Sequence, residues 1–223
     1  MGDARLSRYR KGKWQIMIRV RFTYEKRGLL CFVPHVELPP LICRALRRAG
    51  CSISRTKGFS PKDKVSLGPA LPIGVVGLAE PAEVWLERGG VPSVKDVNEH
   101  MPQGLRVTHM AEVEESPSLS KLCTAACYRV YPQAFGVMDK LKAFFEEDWT
   151  TLGKIGDLRF GPDYVEYIQL DPAKAGLSKL VSLLKEKEII HGWEDLFMVR
   201  LAVGTLKGGR VSPLLGAANL NGE

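Results

Sequence analysis

The first strong pattern in the chain is I-M-I-R-V-R-F-T-Y at positions 16–24, where Ile18, Val20, Phe22 and Tyr24 share one face and Arg19, Arg21 and Thr23 the other. That alternation predicts a half-buried strand. Lys26-Arg27-Gly28 predicts a turn, and Leu29 to Val33 a short return strand. Leu38, Leu41, Ile42, Ala45, Leu46 and Ala49 then recur at helical spacing. Pro39 and Pro40 fit only a first turn, so this helix begins near Leu38, and Gly50 closes it as a C-cap. Cys51 to Arg55, Val65 to Leu67 and Ala82 to Glu87 are predicted strands, and Val94 to Met101 a helix. Leu105 to Val113 alternates again, with Leu105, Val107, Ala111 and Val113 expected on one face together with His109.

After the polar stretch 114–120 the same order returns. Ala125 to Tyr131 predicts a strand, and Val137, Met138, Leu141, Phe144 and Phe145 an amphipathic helix. Leu158 to Phe160 and Val165 to Leu170 predict a strand pair. Asp171-Pro172 is expected to cap a helix whose apolar stripe is Leu177, Leu180, Val181 and Leu184, and Phe197 to Val203 closes the unit. Two β-α-β-β-α-β units predict an α+β protein of tandem ferredoxin-like domains with antiparallel sheets. The expected division is a basic N-terminal arm (1–15), a basic ferredoxin-like domain (16–114), a second ferredoxin-like domain (122–204) and a C-terminal glycine-rich tail (205–223).

Charge changes the picture for the first half. Residues 1–114 carry 19 Lys/Arg against 11 Asp/Glu, whereas residues 115–223 carry 13 against 14. The net charge of +7 therefore sits in one half, which points either to an anionic partner or to a charge excess that only keeps the protein soluble. The longest uncharged run, Val65 to Ala79, is too short for a membrane span and is broken by Pro69 and Pro72. With no signal-peptide pattern, a cytoplasmic protein is expected.

Catalytic signatures are sparse. There is no P-loop, dinucleotide fingerprint, H-E-x-x-H or G-x-S-x-G motif. The five cysteines (31, 43, 51, 123, 127) match no zinc or iron–sulfur spacing and are expected as free thiols, so neither metal nor cofactor is expected. His35, in V-P-H-V-E-L beside Glu37, lies at a strand-to-helix junction and is the one candidate for proton transfer, with helix capping or packing the alternative.

The basic residues cluster. Arg44, Arg47 and Arg48 are spaced to form one exposed helical ridge, and Arg55, Lys57, Lys62 and Lys64 follow within sixteen residues. Such a cluster attracts a phosphate backbone. Phe59, between Gly58 and Ser60, is either a base-stacking platform or a plug folded into the core. The whole stretch K-G-F-S-P-K-D-K-V-S-L-G-P-A-L-P-I-G (57–74) is expected to act as a stiff loop that holds an anion, with Pro61, Gly68, Pro72 and Gly74 fixing its course. A second basic glycine loop, G-T-L-K-G-G-R, carries Lys207 and Arg210 after the last predicted strand. It weakly resembles the glycine-rich loop of repeat-associated RNA-processing proteins, which are also built from tandem ferredoxin-like domains.

R-F-T-Y-E-K-R-G-L-L-C-F-V-P-H-V-E-L, then R-A-L-R-R-A-G, G-F-S-P, L-G-P-A-L-P-I-G and V-N-E-H-M-P-Q-G-L-R-V, resemble the radical-SAM-linked protein family, a domain of unknown function. Members of that family are encoded beside, or fused to, a cobalamin-binding radical-SAM protein. The resemblance implies an accessory role around RNA or the ribosome, with the radical-SAM protein as a separate partner. The chain departs from the family where Pro34 and Lys57 stand in place of a serine and an acidic residue, and where Val76-Gly77 replaces a Ser-Glu pair. The combined expectation is a non-catalytic module that binds RNA or a ribonucleoprotein. A metal-independent ribonuclease using His35, and a protein-interaction domain for an acidic partner, are the alternatives.

Overall fold

A computed structural model describes residues 7–8, 14–15, 17–87, 89–114, 116–147 and 149–216; most of the expected N-terminal arm, Ile16 and residues 217–223 lie outside the described residues. The strands are β1 (Ser7–Arg8), β2 (Trp14–Gln15), β3 (Ile18–Lys26), β4 (Val65–Leu67), β5 (Val76–Leu86), β6 (Leu105–Glu112), β7 (Ala125–Pro132), β8 (Ile155–Phe160), β9 (Val165–Leu170), β10 (Leu196–Lys207) and β11 (Arg210–Pro213). The α-helices are α1 (Leu38–Arg48), α2 (Val94–Asn98), α3 (Leu119–Leu122), α4 (Val137–Glu147) and α5 (Leu177–Glu186).

β1 and β2 pair with each other, and the other nine strands form one mixed, mostly antiparallel sheet in the order β6-β3-β5-β10-β7-β9-β8, with β4 added on β5 and β11 on β10. The first half thus reads β6-β3-β5-β4 and the second β10-β7-β9-β8. They are joined by a short parallel pairing of Val76 with Val199 and Gly77 with Arg200. Beyond that seam the strands part. β4 pairs with β5 at residues 82–84, on the edge opposite β3, and β11 pairs with β10 at residues 204–207, on the edge opposite β7.

Each half has its own core on the helix-bearing side. Val20, Phe22, Leu38, Ile42, Leu46, Val84, Val97 and Val107 pack in the first. Tyr128, Val130, Leu141, Phe145, Tyr167, Leu180 and Leu184 pack in the second. The expected stripes of α1, α4 and α5 face these cores, with Leu41, Ala49 and Met138 only partly buried. Gly50 follows α1 with φ +83, the left-handed conformation a glycine C-cap supplies.

Four local expectations are corrected. Leu29–Val33 is no strand: Gly28–Phe32 forms a 3-10 turn, which wraps the buried Lys26 ammonium with the carbonyls of Cys31 (3.3 Å) and Val33 (2.8 Å). Asp171 does not cap α5; it sits in a turn at φ 52, and α5 begins six residues later after Gly176. His109 is exposed rather than on the apolar face, because a bulge opposite Thr23/Tyr24 reverses the alternation after Val107. Residues 204–213 are not a loop and tail but a hairpin, turning at Gly208 and Gly209, both at positive φ.

Candidate nucleic-acid interface

The carboxyl end of β5 carries the basic cluster. β3 runs away from this end and α1 returns toward it, so Arg47 and Arg48 arrive there together with Arg44 one turn earlier. All three are exposed. From Cys51 the chain pairs along the end of β5, with Glu87 N–H bonding Ser52 O at 2.8 Å and Ser54 N–H bonding Trp85 O at 2.8 Å. It then folds back on itself as a narrow arm. Thr56 N–H donates to Lys62 O (2.7 Å), Lys62 N–H to Thr56 Oγ1 (3.0 Å) and Lys64 N–H to Ser54 O (2.7 Å).

The tip of this arm is Lys57 to Pro61, with Gly58 at φ +143. Phe59 stands there fully exposed, which excludes the core-plug alternative. Arg55, Lys57 and Lys62 are exposed around it. Two members of the sequence cluster are already engaged. Arg47 is ion-paired with Asp63, and the ammonium of Lys64 lies 4.6 Å over the Trp85 ring. Lys64 is half-buried and its pKa is lowered, first by burial and then by Lys57 and Arg19. The cations left without an ion pair among the described residues are Arg44, Arg48, Arg55, Lys57 and Lys62 here, and Lys207 and Arg210 on the β10–β11 hairpin.

The stretch from Lys57 to Gly74 is therefore two structures. Its second part, L-G-P-A-L-P-I-G, is a strap rather than an anion-binding loop. Gly68 N–H bonds Pro81 O at 2.9 Å, and a Cβ on Gly68 would lie 2.8 Å from the Pro81 ring. Gly74, at φ +83, donates to Cys31 O at 2.9 Å, and Pro72 O accepts from Val75 N–H. The carbonyls of Pro69 and Ala70 accept from the Arg200 guanidinium at 2.8 and 3.2 Å. Arg200 is itself completely buried and ion-paired with Glu80. A Cβ on Gly77 would meet the Glu80 side chain at 2.7 Å, so glycine at this position makes room for that carboxylate.

His35 belongs to this buried network and not to the basic end. It lies in the 3-10 turn His35–Glu37 before α1, and it caps nothing: the N-cap of α1, Glu37, makes no side-chain bond. Its Nδ1 is buried without a hydrogen-bond partner. Burial holds its pKa below the usual histidine value, against the attraction of Glu80 and with the repulsion of Arg200 and Lys26. Glu37 is exposed.

Sequence reasoning missed Glu80, Arg200 and Lys26, and it placed Arg19 and Arg21 on a solvent face. Both arginines instead clamp the buried Glu83, at 2.6 Å each, under a crossing segment that supplies Ser116 Oγ to Arg21 and the Ser116 and Pro117 carbonyls to Arg19. The available signal was a charge inside an apolar strand, as in V-G-L-A-E-P-A-E-V-W-L and F-M-V-R-L-A-V.

On the face away from the helices, Val76, Leu78, Tyr131, Phe197, Val199 and Leu201 line an open groove of ≈ 550 Å³. All five thiols are free, and burial pushes Cys43, Cys123 and Cys127 up to about 12. Among the described residues no group of three or more His, Cys, Asp or Glu is placed to hold a metal, and no helix is long and apolar enough to cross a membrane.

The chain belongs to the bacterial family described as "Uncharacterized protein conserved in bacteria (DUF2344)", whose model matches residues 19–156. That span holds α1, the arm, the strap and Glu80, and stops before β10 with Arg200. No curated protein matches the chain. Among solved structures, a "putative glycine cleavage system transcriptional repressor" is similar at 10% identity and a TM-score of 0.22, over 82% of this chain and 95% of that one. A superposition at that score establishes neither fold nor function.

Proposed function

We propose that this protein is a non-catalytic module that binds RNA or a ribonucleoprotein through the carboxyl end of β5, and that it works beside a separate radical-SAM enzyme in the cytoplasm. The observation that carries the RNA reading is the arm at 54–64, which presents a fully exposed Phe59 among Arg55, Lys57 and Lys62 next to Arg44 and Arg48. An aromatic ring held in solvent between cations suits a base stacked on it, with phosphates on either side. The radical-SAM partnership rests on the family resemblance of the motifs between residues 18 and 113. The strand orders β6-β3-β5-β4 and β10-β7-β9-β8, each from a β-α-β-β-α-β run, support reading the halves as two ferredoxin-like units that share a sheet.

A ribonuclease reading needs His35 beside the bound backbone. It lies at the amino end of α1 whereas the arm lies at the carboxyl end, roughly 16 Å away along an eleven-residue helix. Binding without cleavage is the reading we adopt.

The test is fluorescence anisotropy of labelled single-stranded RNA over a salt series, using wild type, Arg44→Ala/Arg48→Ala and Phe59→Ala. The arginine variant is expected to bind more weakly with a log–log salt slope shallower by about 1.4, at about 0.7 per lost contact. Phe59→Ala is expected to weaken binding at nearly unchanged slope. Wild-type affinity and slope in both folded variants overturn the proposal, and tighter binding to an acidic peptide than to RNA favours a protein partner instead.

A further inference from the structure

β5 and β10 run in the same direction, pair over two residues, and then diverge. The space between them is entered by β4 from one side and β11 from the other, and no ladder joins β4 to β11. At its upper end the sheet is therefore split into β3-β5-β4 and β11-β10-β7. The arm leads directly into β4, and the Gly208-Gly209 turn directly into β11, so two loops project from the same end of the sheet, at the carboxyl ends of the parallel strands, with α3 packed below them against β5. Both of these loops are basic, and both lie on the carboxyl side of the seam.

The hairpin side has an unusual feature. Lys207 and Arg210 are direct cross-strand partners, both exposed, with no ion pair among the described residues. Like charges placed opposite each other on a hairpin destabilise it. A phosphate lying between them would convert that repulsion into attraction. The arm offers the matching pair Lys57 and Lys62, with Phe59 between them in sequence.

We propose that one single strand of RNA spans the two projecting loops, gripped by Lys57, Lys62 and Phe59 of the first half and by Lys207 and Arg210 of the second. This rests on reading the arm as an RNA-binding element and adds to it a second, separate loop. The two halves then share a ligand as well as a sheet. Stacking on Phe59 requires an unpaired base, which selects single strands over duplex.

The experiment compares the full chain with Lys57→Ala/Lys62→Ala, Lys207→Ala/Arg210→Ala and the quadruple variant. The probes are a labelled 20-nucleotide oligouridine and an RNA duplex of the same length, each over a salt series. All four side chains are exposed, and thermal melting verifies each fold. The expected result is a slope shallower by about 1.4 for each pair and by about 2.8 for the quadruple, with the single strand bound at least tenfold more tightly than the duplex. If the arm pair weakens binding while the hairpin pair leaves affinity and slope at wild type, the shared two-loop site is wrong and the arm reading stands. If neither pair matters, both fail. Duplex bound as tightly as the single strand overturns the choice of ligand. If alanine in the hairpin unfolds the protein, Lys207→Gln/Arg210→Gln, which keeps the side-chain length, decides the same point.

Discussion

Arg200 Nε donates to Glu80 Oε1 at 2.8 Å across the seam between the two half-sheets, and neither residue is more than marginally exposed. The pair ties β10 to β5 and, through the Pro69 and Ala70 carbonyls, holds the strap over the seam. Removing one member leaves a buried charge without its partner. Arg200→Met is expected to destabilise the fold by about 3–5 kcal/mol, measured by urea unfolding. Arg200→Met combined with Glu80→Leu is expected to recover the part of that loss due to the unpaired charge, but not the part due to the Pro69 and Ala70 carbonyls left without a donor. A double variant as unstable as the single one would show that the pair does more than neutralise itself.

His35 gives the protein a pH signature. Its pKa is lowered in the folded state, so below about pH 6.5 the unfolded chain takes up a proton that the folded chain resists. The stability associated with neutral His35 is present above that pH and is lost as pH falls. Glu80 favours the protonated ring while Arg200 and Lys26 oppose it, and burial of the unpartnered Nδ1 outweighs the attraction of Glu80. Urea unfolding at pH 5, 6, 7 and 8 is expected to show a steeper fall for wild type than for His35→Gln. Parallel curves for the two proteins would show that His35 does not titrate against folding.

What was legible in the sequence follows the physics of each element. α1 and α4 were readable because each buries one face, and β3 because its apolar side chains alternate with charged ones, although Arg21 and Thr23 on its other face are buried too. The basic arm was readable as a cluster, although not as a hairpin, because Ile53 and Arg55 make isolated bridges rather than a strand. The join between the halves was not readable. It rests on a two-residue parallel pairing and on Glu80 with Arg200, 120 positions apart, and no local pattern encodes a pairing at that distance. The same holds for the pairing of Arg47 with Asp63, which removes one cation from a ridge that spacing alone made continuous.

Gly104 offers a test of the turn that positions the 3-10 segment behind Lys26. It sits at φ +91, its carbonyl accepts from Arg27 N–H at 2.8 Å, and a Cβ there would lie 2.5 Å from Arg27 O. The backbone conformation alone costs a non-glycine residue about 1–3 kcal/mol, and the backbone clash adds to it. Gly104→Ala is expected to lower the unfolding free energy by at least that amount. Gly90→Ala, with open space around the new methyl group, is expected to change it by no more than about 0.5 kcal/mol. Equal stability of the two variants would contradict the tight approach of the two chain segments.

Asp63 is the natural brake on the basic end. It is the sole acidic residue between positions 41 and 64, and it holds the Arg47 guanidinium in an exposed ion pair. Its backbone also bridges to Arg55, so the substitution chosen must keep the shape of the arm. Asp63→Asn does so while removing one negative charge and releasing one cation. An exposed pair of this kind contributes about 0–1 kcal/mol to stability, so the variant is expected to fold with little loss. If the carboxyl end of β5 binds RNA, freeing Arg47 adds a phosphate contact, and the log–log salt slope is expected to become steeper by about 0.7. Affinity at low salt should rise, and the gain should shrink as salt screens the contact. Arg47→Ala placed on the Asp63→Asn background is expected to return the slope to the wild-type value, which separates the released guanidinium from the general gain in positive charge. A folded Asp63→Asn variant whose affinity and slope match wild type would mean that bound RNA does not reach this end of the helix.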